Sequence, residues 1–204
     1  MSAVWVCLAL AAFAIPHSLL ASHTAKRRAR RWLGQRRADG VYRLFYNVVA
    51  GLSLLPALAL AAVLPSPTLW HWPTPLRFIT IPVQAAASLA LFISVWQVDL
   101  ARFIGVRQIG RLLSGEAEPR DPPSLRTDGV YSWVRHPLYF FSLVVLWLMP
   151  VMTLNLLAFN LGATLYFWIG SIYEERKLVS EFGEGYRAYQ ARVPRLFPWP
   201  RHGR

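Results

Sequence analysis

The chain has 204 residues, 55% of them hydrophobic, with 9 Trp, and its mean hydropathy is +0.33. That is too apolar for an ordinary soluble domain and fits one polytopic membrane domain. Net charge is +12, but the basic residues sit between apolar stretches, which argues for membrane orientation and anionic headgroups rather than nucleic acid.

The first apolar stretch, residues 3–21, has no Lys or Arg before it, which makes it a poor secretory signal and a better retained helix. It contains the single cysteine, Cys7, so a disulfide framework and a cysteine zinc site are excluded. Pro16-His17-Ser18 stands near its far end. Residues 24–37 carry Lys26, Arg27, Arg28, Arg30, Arg31, Arg36 and Arg37, read as a connecting segment that sets topology. A second span is expected over about 41–64, opening with Tyr42-Arg43-Leu44-Phe45-Tyr46-Asn47. A proline-rich loop with Trp70 and Trp72 follows, then a third span over about 76–98 that ends in Gln97-Val98-Asp99. Residues 99–130, with Gly105, Gly110, Gly115, Pro119, Pro122 and Pro123, read as a structured polar loop.

From Leu138 to Ile172 the chain is again strongly apolar. About 20 residues cross the hydrocarbon core once, so this length fits two crossings with a turn near Met149-Pro150. The tail, 173–204, is no span: Leu178, Phe182, Tyr186 and Tyr189 recur on one helical face. The expected fold is therefore all-α, a polytopic membrane protein of about five transmembrane helices. It includes a C-terminal helical hairpin and ends in an amphipathic cytoplasmic helix, with Gly183 and Gly185 weakening the middle of that helix. Of the 22 Lys and Arg residues, 21 lie in 24–43, 99–135 or 173–204. With five spans these segments share one side, which implies an outside N-terminus and a cytoplasmic C-terminus, as in a bacterial inner membrane protein.

Such a hairpin returns its two ends to one membrane surface. It brings Arg135, His136 and Tyr139 beside Glu174 and Glu175, with Tyr131, Trp133, Tyr186 and Tyr189 as an aromatic wall. Ionisable groups at membrane depth are costly and mark candidate sites. This set would clamp a ligand carrying both a carboxylate and an ammonium group, and its ring faces suit a planar base or a sulfonium. No glycine-rich phosphate loop, zinc-binding helix or nucleophile elbow is present, so metal and phosphate chemistry lack support. His17, Asn47 and Asp99 are the candidates for a catalytic role, weighed against hydrogen bonding between helices, the commoner use of such residues.

Arg135-His136-Pro137-Leu138-Tyr139, then Glu174-Glu175-Arg176-Lys177-Leu178, Phe182-Gly183-Glu184-Gly185-Tyr186 with Tyr189, and Val193-Pro194-Arg195 resemble the motifs of a membrane methyltransferase superfamily. It contains the isoprenylcysteine carboxyl methyltransferases and the phospholipid methyltransferases, whose cofactor is S-adenosylmethionine. The likeness covers about residues 128–200. In the first half, Pro16-His17-Ser18-Leu19-Leu20-Ala21-Ser22 and Tyr42-Arg43-Leu44-Phe45-Tyr46-Asn47 are similar to the bacterial branch with the methanethiol S-methyltransferases. Many relatives have glycine two residues after the tyrosine, where this chain has Phe141.

The resemblance implies one methyltransferase domain over 1–204, with N-terminal helices and a loop (1–130) and a cofactor-binding hairpin and tail (131–204). It implies cofactor binding by Arg135, His136, Tyr139, Glu174, Glu175 and Tyr186, and a small or lipophilic acceptor, a thiol favoured, that arrives through the bilayer. Prenylcysteine carboxyl groups and amine lipids are alternative acceptors. A nicotinamide-dependent reductase of the sterol-reductase type and a non-enzymatic, haem-handling membrane factor are the competing readings.

Overall fold

The computed structural model describes residues 1–116 and 125–198. Pro119, Pro122 and Pro123 of the polar segment and the final Trp199-Pro200 lie outside the described residues. In chain order the elements are α1 (Ser2–Ala21), α2 (His23–Leu33), α3 (Gln35–Val63), β1 (Thr68–His71), α4 (Thr74–Gln97), α5 (Leu100–Ile104) and α6 (Val106–Ser114). A 3-10 turn (Gly129–Ser132), α7 (Pro137–Trp147), β2 (Val151–Thr153), α8 (Leu154–Phe182) and α9 (Glu184–Arg192) complete them. Four helices, α1, α3, α4 and α8, are long and apolar enough to cross a membrane. Their surfaces expose Leu19, Leu52, Leu89 and Leu165. Side chains of that kind would be an aggregation hazard in water and are matched by hydrocarbon.

Packing divides the chain into two units, the first comprising Met1–Pro67, Val98–Pro122 and Leu154–Phe159. Here α1 and α3 pack together, with the Tyr42 hydroxyl donating to the Leu20 carbonyl at 2.6 Å. The Ser22 hydroxyl accepts from the Ala25 amide at 3.2 Å and starts α2. Gly34, at φ 78, turns the chain into α3. The start of α8 joins the end of α3 through the buried Asn155, whose side-chain amide donates to the Leu64 carbonyl at 3.1 Å. Between α5 and α6, Gly105 sits at φ +105, and a Cβ there would lie 2.5 Å from the Leu44 amide nitrogen of α3.

The second unit comprises Thr68–Gln97, Pro123–Thr153 and Asn160–Arg204. β1 and β2 pair antiparallel, Trp70 opposite Met152 and His71 opposite Val151. α4 packs on α7, and the Gln84 side-chain amide donates to the Val145 carbonyl at 2.8 Å. α7 meets α8 through Asn160, which donates to the Leu146 carbonyl at 2.9 Å, and through the Trp147 indole N–H, which donates to Thr164 at 3.0 Å. Polar side chains in apolar helices commonly bond across to a neighbour in this way.

The structure departs from the sequence reading at four places. α7 has 11 residues, about 16 Å of helix, half of what a hydrocarbon core requires. It stops because Pro150 disfavours helix at the preceding residue and the next three residues pair with β1. That ribbon also makes the fold mostly helical rather than all-α. The arginine-rich segment is itself helical, as α2, and much of the polar segment after Asp99 forms α5 and α6. The tail helix breaks at Gly183, at φ +56, so the apolar face read as continuous belongs to two helices.

The Gly105 turn yields a stability test. Gly105→Ala combines a left-handed backbone with a contact into α3 that nothing flexible can relieve, and should destabilise by about 1–3 kcal/mol. Gly51→Ala, a helical site where an added Cβ meets nothing within 4 Å, should be neutral or stabilising by up to about 1 kcal/mol. Thermal unfolding in detergent separates the two; equal melting temperatures would refute the account.

Candidate functional site

Residues 134–136 run beside the segment that follows α9. The Arg135 amide donates to the Pro194 carbonyl at 2.9 Å and the His136 amide to the Arg195 carbonyl at 3.1 Å. Pro137 then opens α7, where its fixed φ and missing N–H fit the first helical position. Glu174 and Glu175 are neighbours on α8, about 100° apart around the axis, so their carboxylates face different partners.

Glu175 faces inward. Arg135 grips it with two parallel bonds, Nε to Oε1 at 2.6 Å and Nη2 to Oε2 at 2.9 Å. Gln190 donates to Oε2 at 2.7 Å, and the Tyr186 hydroxyl and His136 Nε2 approach Oε1 at 3.4 and 3.3 Å. Arg135 also donates through Nη1 to the Gln190 and Val193 carbonyls. The side chains of this pair are only 6% and 12% exposed.

Glu174 faces outward, with its side chain 46% exposed. Its Oε2 accepts from the Tyr139 hydroxyl at 3.0 Å and lies 3.4 Å from His136 Nδ1. The Tyr139 ring lies parallel to those of His136 and Phe167, at centroid distances of 5.4 and 4.9 Å. His136 thus bridges both carboxylates. Burial alone would lower its pKa, but hydrogen bonds to Glu174 and Glu175 and their charges outweigh that and hold it above its ordinary value.

α9 closes the site from below. Tyr186 and Tyr189 are buried with Val193 against Leu178, Val179 and Phe182. Burial, reinforced by the Glu175 charge, raises the Tyr186 hydroxyl pKa, and burial pushes Tyr189 up to about 12. Both therefore act as donors near neutral pH. Neither offers a free ring face, so of the expected aromatic wall only Trp133 is well exposed. Tyr131 is partly buried, and its hydroxyl donates to the Ser94 carbonyl at 3.4 Å. Phe141 is buried. Beside Glu175 a cavity of about 350 Å³ is lined by Ile172, Arg176, Val179, Gln190 and Arg195. Among the described residues no cluster of His, Cys, Asp or Glu could hold a metal ion.

The six expected binding residues, Arg135, His136, Tyr139, Glu174, Glu175 and Tyr186, are thus brought together within the second unit. Gln190 and Phe167 do not stand out in the sequence, and Arg195 stands out only as part of Val193-Pro194-Arg195, with no role attached. Gln190 had a signal, since it lies one helical turn after Tyr186 on the same face. Phe167 had none in an apolar run. His17, Asn47 and Asp99 lie in the first unit, each in a local task. His17 Nε2 shares a 2.6 Å hydrogen bond with the Tyr46 hydroxyl. Asn47 donates to the Phe103 and Ile104 carbonyls at the end of α5, both at 2.8 Å. Asp99 caps the start of α5 through the Arg102 amide and pairs with Arg107.

Two stability outcomes follow. Glu175→Gln leaves Arg135 buried against a neutral partner and should cost about 3–5 kcal/mol, whereas Glu174→Gln should cost less than about 1 kcal/mol. Comparable melting temperatures for both would contradict this division. Folded His136 holds its proton more tightly than the unfolded ring, whose pKa is about 6.5. Its contribution is then full below about pH 6.5 and is lost as pH rises through the folded value. Melting temperature should fall across that alkaline rise, and His136→Asn should flatten the slope; an unchanged slope in that variant would rule out His136 as the titrating group.

Comparison with known proteins places these features in a lineage. The family model described as "Protein of unknown function (DUF1295)" matches residues 111–193. Methanethiol S-methyltransferase 1 of Bradyrhizobium diazoefficiens is 34% identical over 196 residues, covering 95% of this chain and 66% of that protein. The chain therefore spans about two thirds of that relative's length. Methanethiol S-methyltransferase 2 of the same organism is 32% identical, covering 94% of this chain and 71% of the relative. The methanethiol S-methyltransferase of Mycobacterium tuberculosis is 29% identical, covering 94% and 76%. No solved structure matches. At these identities, and over nearly its whole length, the chain belongs to the methanethiol S-methyltransferase family, within the isoprenylcysteine methyltransferase-like membrane superfamily.

Proposed function

We propose that this protein is a single-domain membrane methyltransferase that moves the methyl group of S-adenosylmethionine to a small thiol. One observation carries the reading: a half-exposed carboxylate, Glu174, stands beside a stack of parallel rings and is held by neighbours that are themselves fixed. The residues present fit the proposed donor. Its ammonium suits Glu174, whose Oε1 has no hydrogen-bond partner among the described residues. Its carboxylate suits Arg176 and Arg195 at the cavity, where Arg195 lies 4.2 Å over the Trp168 ring. A cavity of about 350 Å³ falls in the range of small-molecule sites.

When bound, S-adenosylmethionine supplies an electrophilic methyl group on a sulfonium, which calls for in-line approach of a nucleophile and exclusion of water. The chain's own share is positioning. His136 and Tyr139 orient Glu174; Arg135, Glu175, Gln190 and Tyr186 fix the frame around it. A thiol loses its proton more readily than an alcohol, with a reference pKa of about 8.5 for cysteine, so no strong protein base is required. That agrees with the local hydrogen-bonding tasks of His17, Asn47 and Asp99. The thiol acceptor is taken from what the relatives' names say of those proteins. Although α7 alone covers only about half of a hydrocarbon core, we place it, together with the extended residues that follow it, and α8 as one hairpin among five crossings, with the N-terminus outside and the C-terminus cytoplasmic, on the one-sided distribution of Lys and Arg.

A radiolabelled S-adenosylmethionine assay across small thiols, prenylcysteine analogues and amine lipids tests the acceptor. Transfer to small thiols, rising with pH until the thiol has titrated, is expected. Transfer to the lipids alone would sink the thiol assignment and leave the methyltransferase standing. Glu174→Gln should weaken donor binding by about ten- to a hundredfold, through loss of a charge-assisted hydrogen bond, at an unchanged melting temperature. Parent-like binding would exclude Glu174 as the ammonium partner. A reporter after Arg204 should behave as cytoplasmic and one after Pro67 as external; reversed labelling would overturn the entry side of the donor.

A further inference from the structure

The first unit contains a second cavity, of about 460 Å³, lined by Leu33, Arg36, Arg37, Val41 and Leu112. We infer that it binds the phosphate-bearing headgroup of an anionic phospholipid.

Its shape has a local cause. A Cβ on Gly40 would come within 2.8 Å of Leu112, so only glycine lets α6 settle this closely on the first turns of α3. Leu33 at the end of α2 and Val41 on α3 supply further apolar wall. Arg36 and Arg37 supply the charge, and neither has a carboxylate partner among the described residues. The nearby Asp39 is taken by Arg30 at 2.7 Å.

Both arginines stand in the first turn of α3, which has no acidic residue and no side-chain cap. Cations there oppose the positive end of the helix dipole, and an anion in the cavity reverses the sign of that interaction. The surroundings distinguish a lipid from a free anion. Trp32 and Leu113 are 89% and 81% exposed beside the arginines, and α3 continues as a candidate membrane span. A tryptophan next to cations at the start of a span is the chemistry of the bilayer interface, where a headgroup and its first acyl carbons meet protein together.

The test is native mass spectrometry of the full chain in detergent, titrated separately with phosphatidylglycerol, phosphatidylcholine and inorganic phosphate. One phosphatidylglycerol adduct should bind about tenfold or more tightly than phosphatidylcholine and survive millimolar phosphate. R36Q/R37Q should lose that preference. R28Q/R31Q, which removes the same charge from the exposed face of α2, should keep it. Val41→Trp, which fills the cavity without changing charge, should weaken the adduct too, and circular dichroism reports whether each variant is folded. Equal loss in both double variants would reduce the effect to diffuse charge and overturn the site. Displacement by phosphate would make it a free-anion site and overturn the lipid.

Discussion

The two parallel hydrogen bonds between Arg135 and Glu175 hold four stretches of chain in one place. Arg135 precedes α7, Glu175 sits near the end of α8, Gln190 is on α9, and the Val193 carbonyl lies just beyond it. Replacing such a buried pair with apolar residues is often neutral or stabilising, whereas breaking it is costly. Its use here is geometric. A carboxylate that accepts from Arg135, His136, Gln190 and Tyr186 together can occupy one position only, and that fixes the phase of α8. Once Glu175 points inward, the next residue back must point outward, and Glu174 becomes the group available to a ligand.

Long features of the fold were legible because they rest on long signals. α1, α3, α4 and α8 each carry a run of apolar residues that no soluble packing would accommodate, and their edges follow from where charge begins. The short ribbon was not legible. β1 and β2 lie some 80 residues apart in the chain, and exposed Thr68 and Leu69 give no alternating pattern that announces a partner. The ribbon in turn shortens α7, so a non-local pairing undid a local estimate of span length. α2 is hidden for a different reason: in a segment dense with arginine, charge reads as a topology signal, although Ser22 supplies an ordinary helix start.

At the site the identity of the cluster was legible and its division of labour was not. Two basic or titratable residues before an apolar hairpin, and two carboxylates after it, must meet if the hairpin closes. Which carboxylate is internal depends on the rotation of α8 against α7, to which sequence spacing is blind. For the same reason Arg135 looked like a ligand group, yet its donors go to Glu175 and two carbonyls. Tyr186 looked like part of a wall, yet its ring lies in the core. At Gly183 the weak point expected inside one tail helix goes further, into a turn at positive φ that ends α8 and separates it from α9.

Partner count separates scaffold charges from ligand-facing ones in this protein. With His136 protonated, the charges of Arg135, His136, Glu174 and Glu175 cancel within one cluster, so the cluster does not need an ion from outside in order to fold. What it leaves unused is directional: one oxygen of Glu174 and the faces of nearby rings, a set able to orient a zwitterion without binding it through net charge. Arg36 and Arg37 are the opposite case, two like charges on one helical turn with apolar neighbours and no acid among the described residues to offset them. Such an arrangement raises the energy of the protein by itself and is lowered by an anion from outside, and an interface rich in anionic lipid provides that anion wherever the helix enters it.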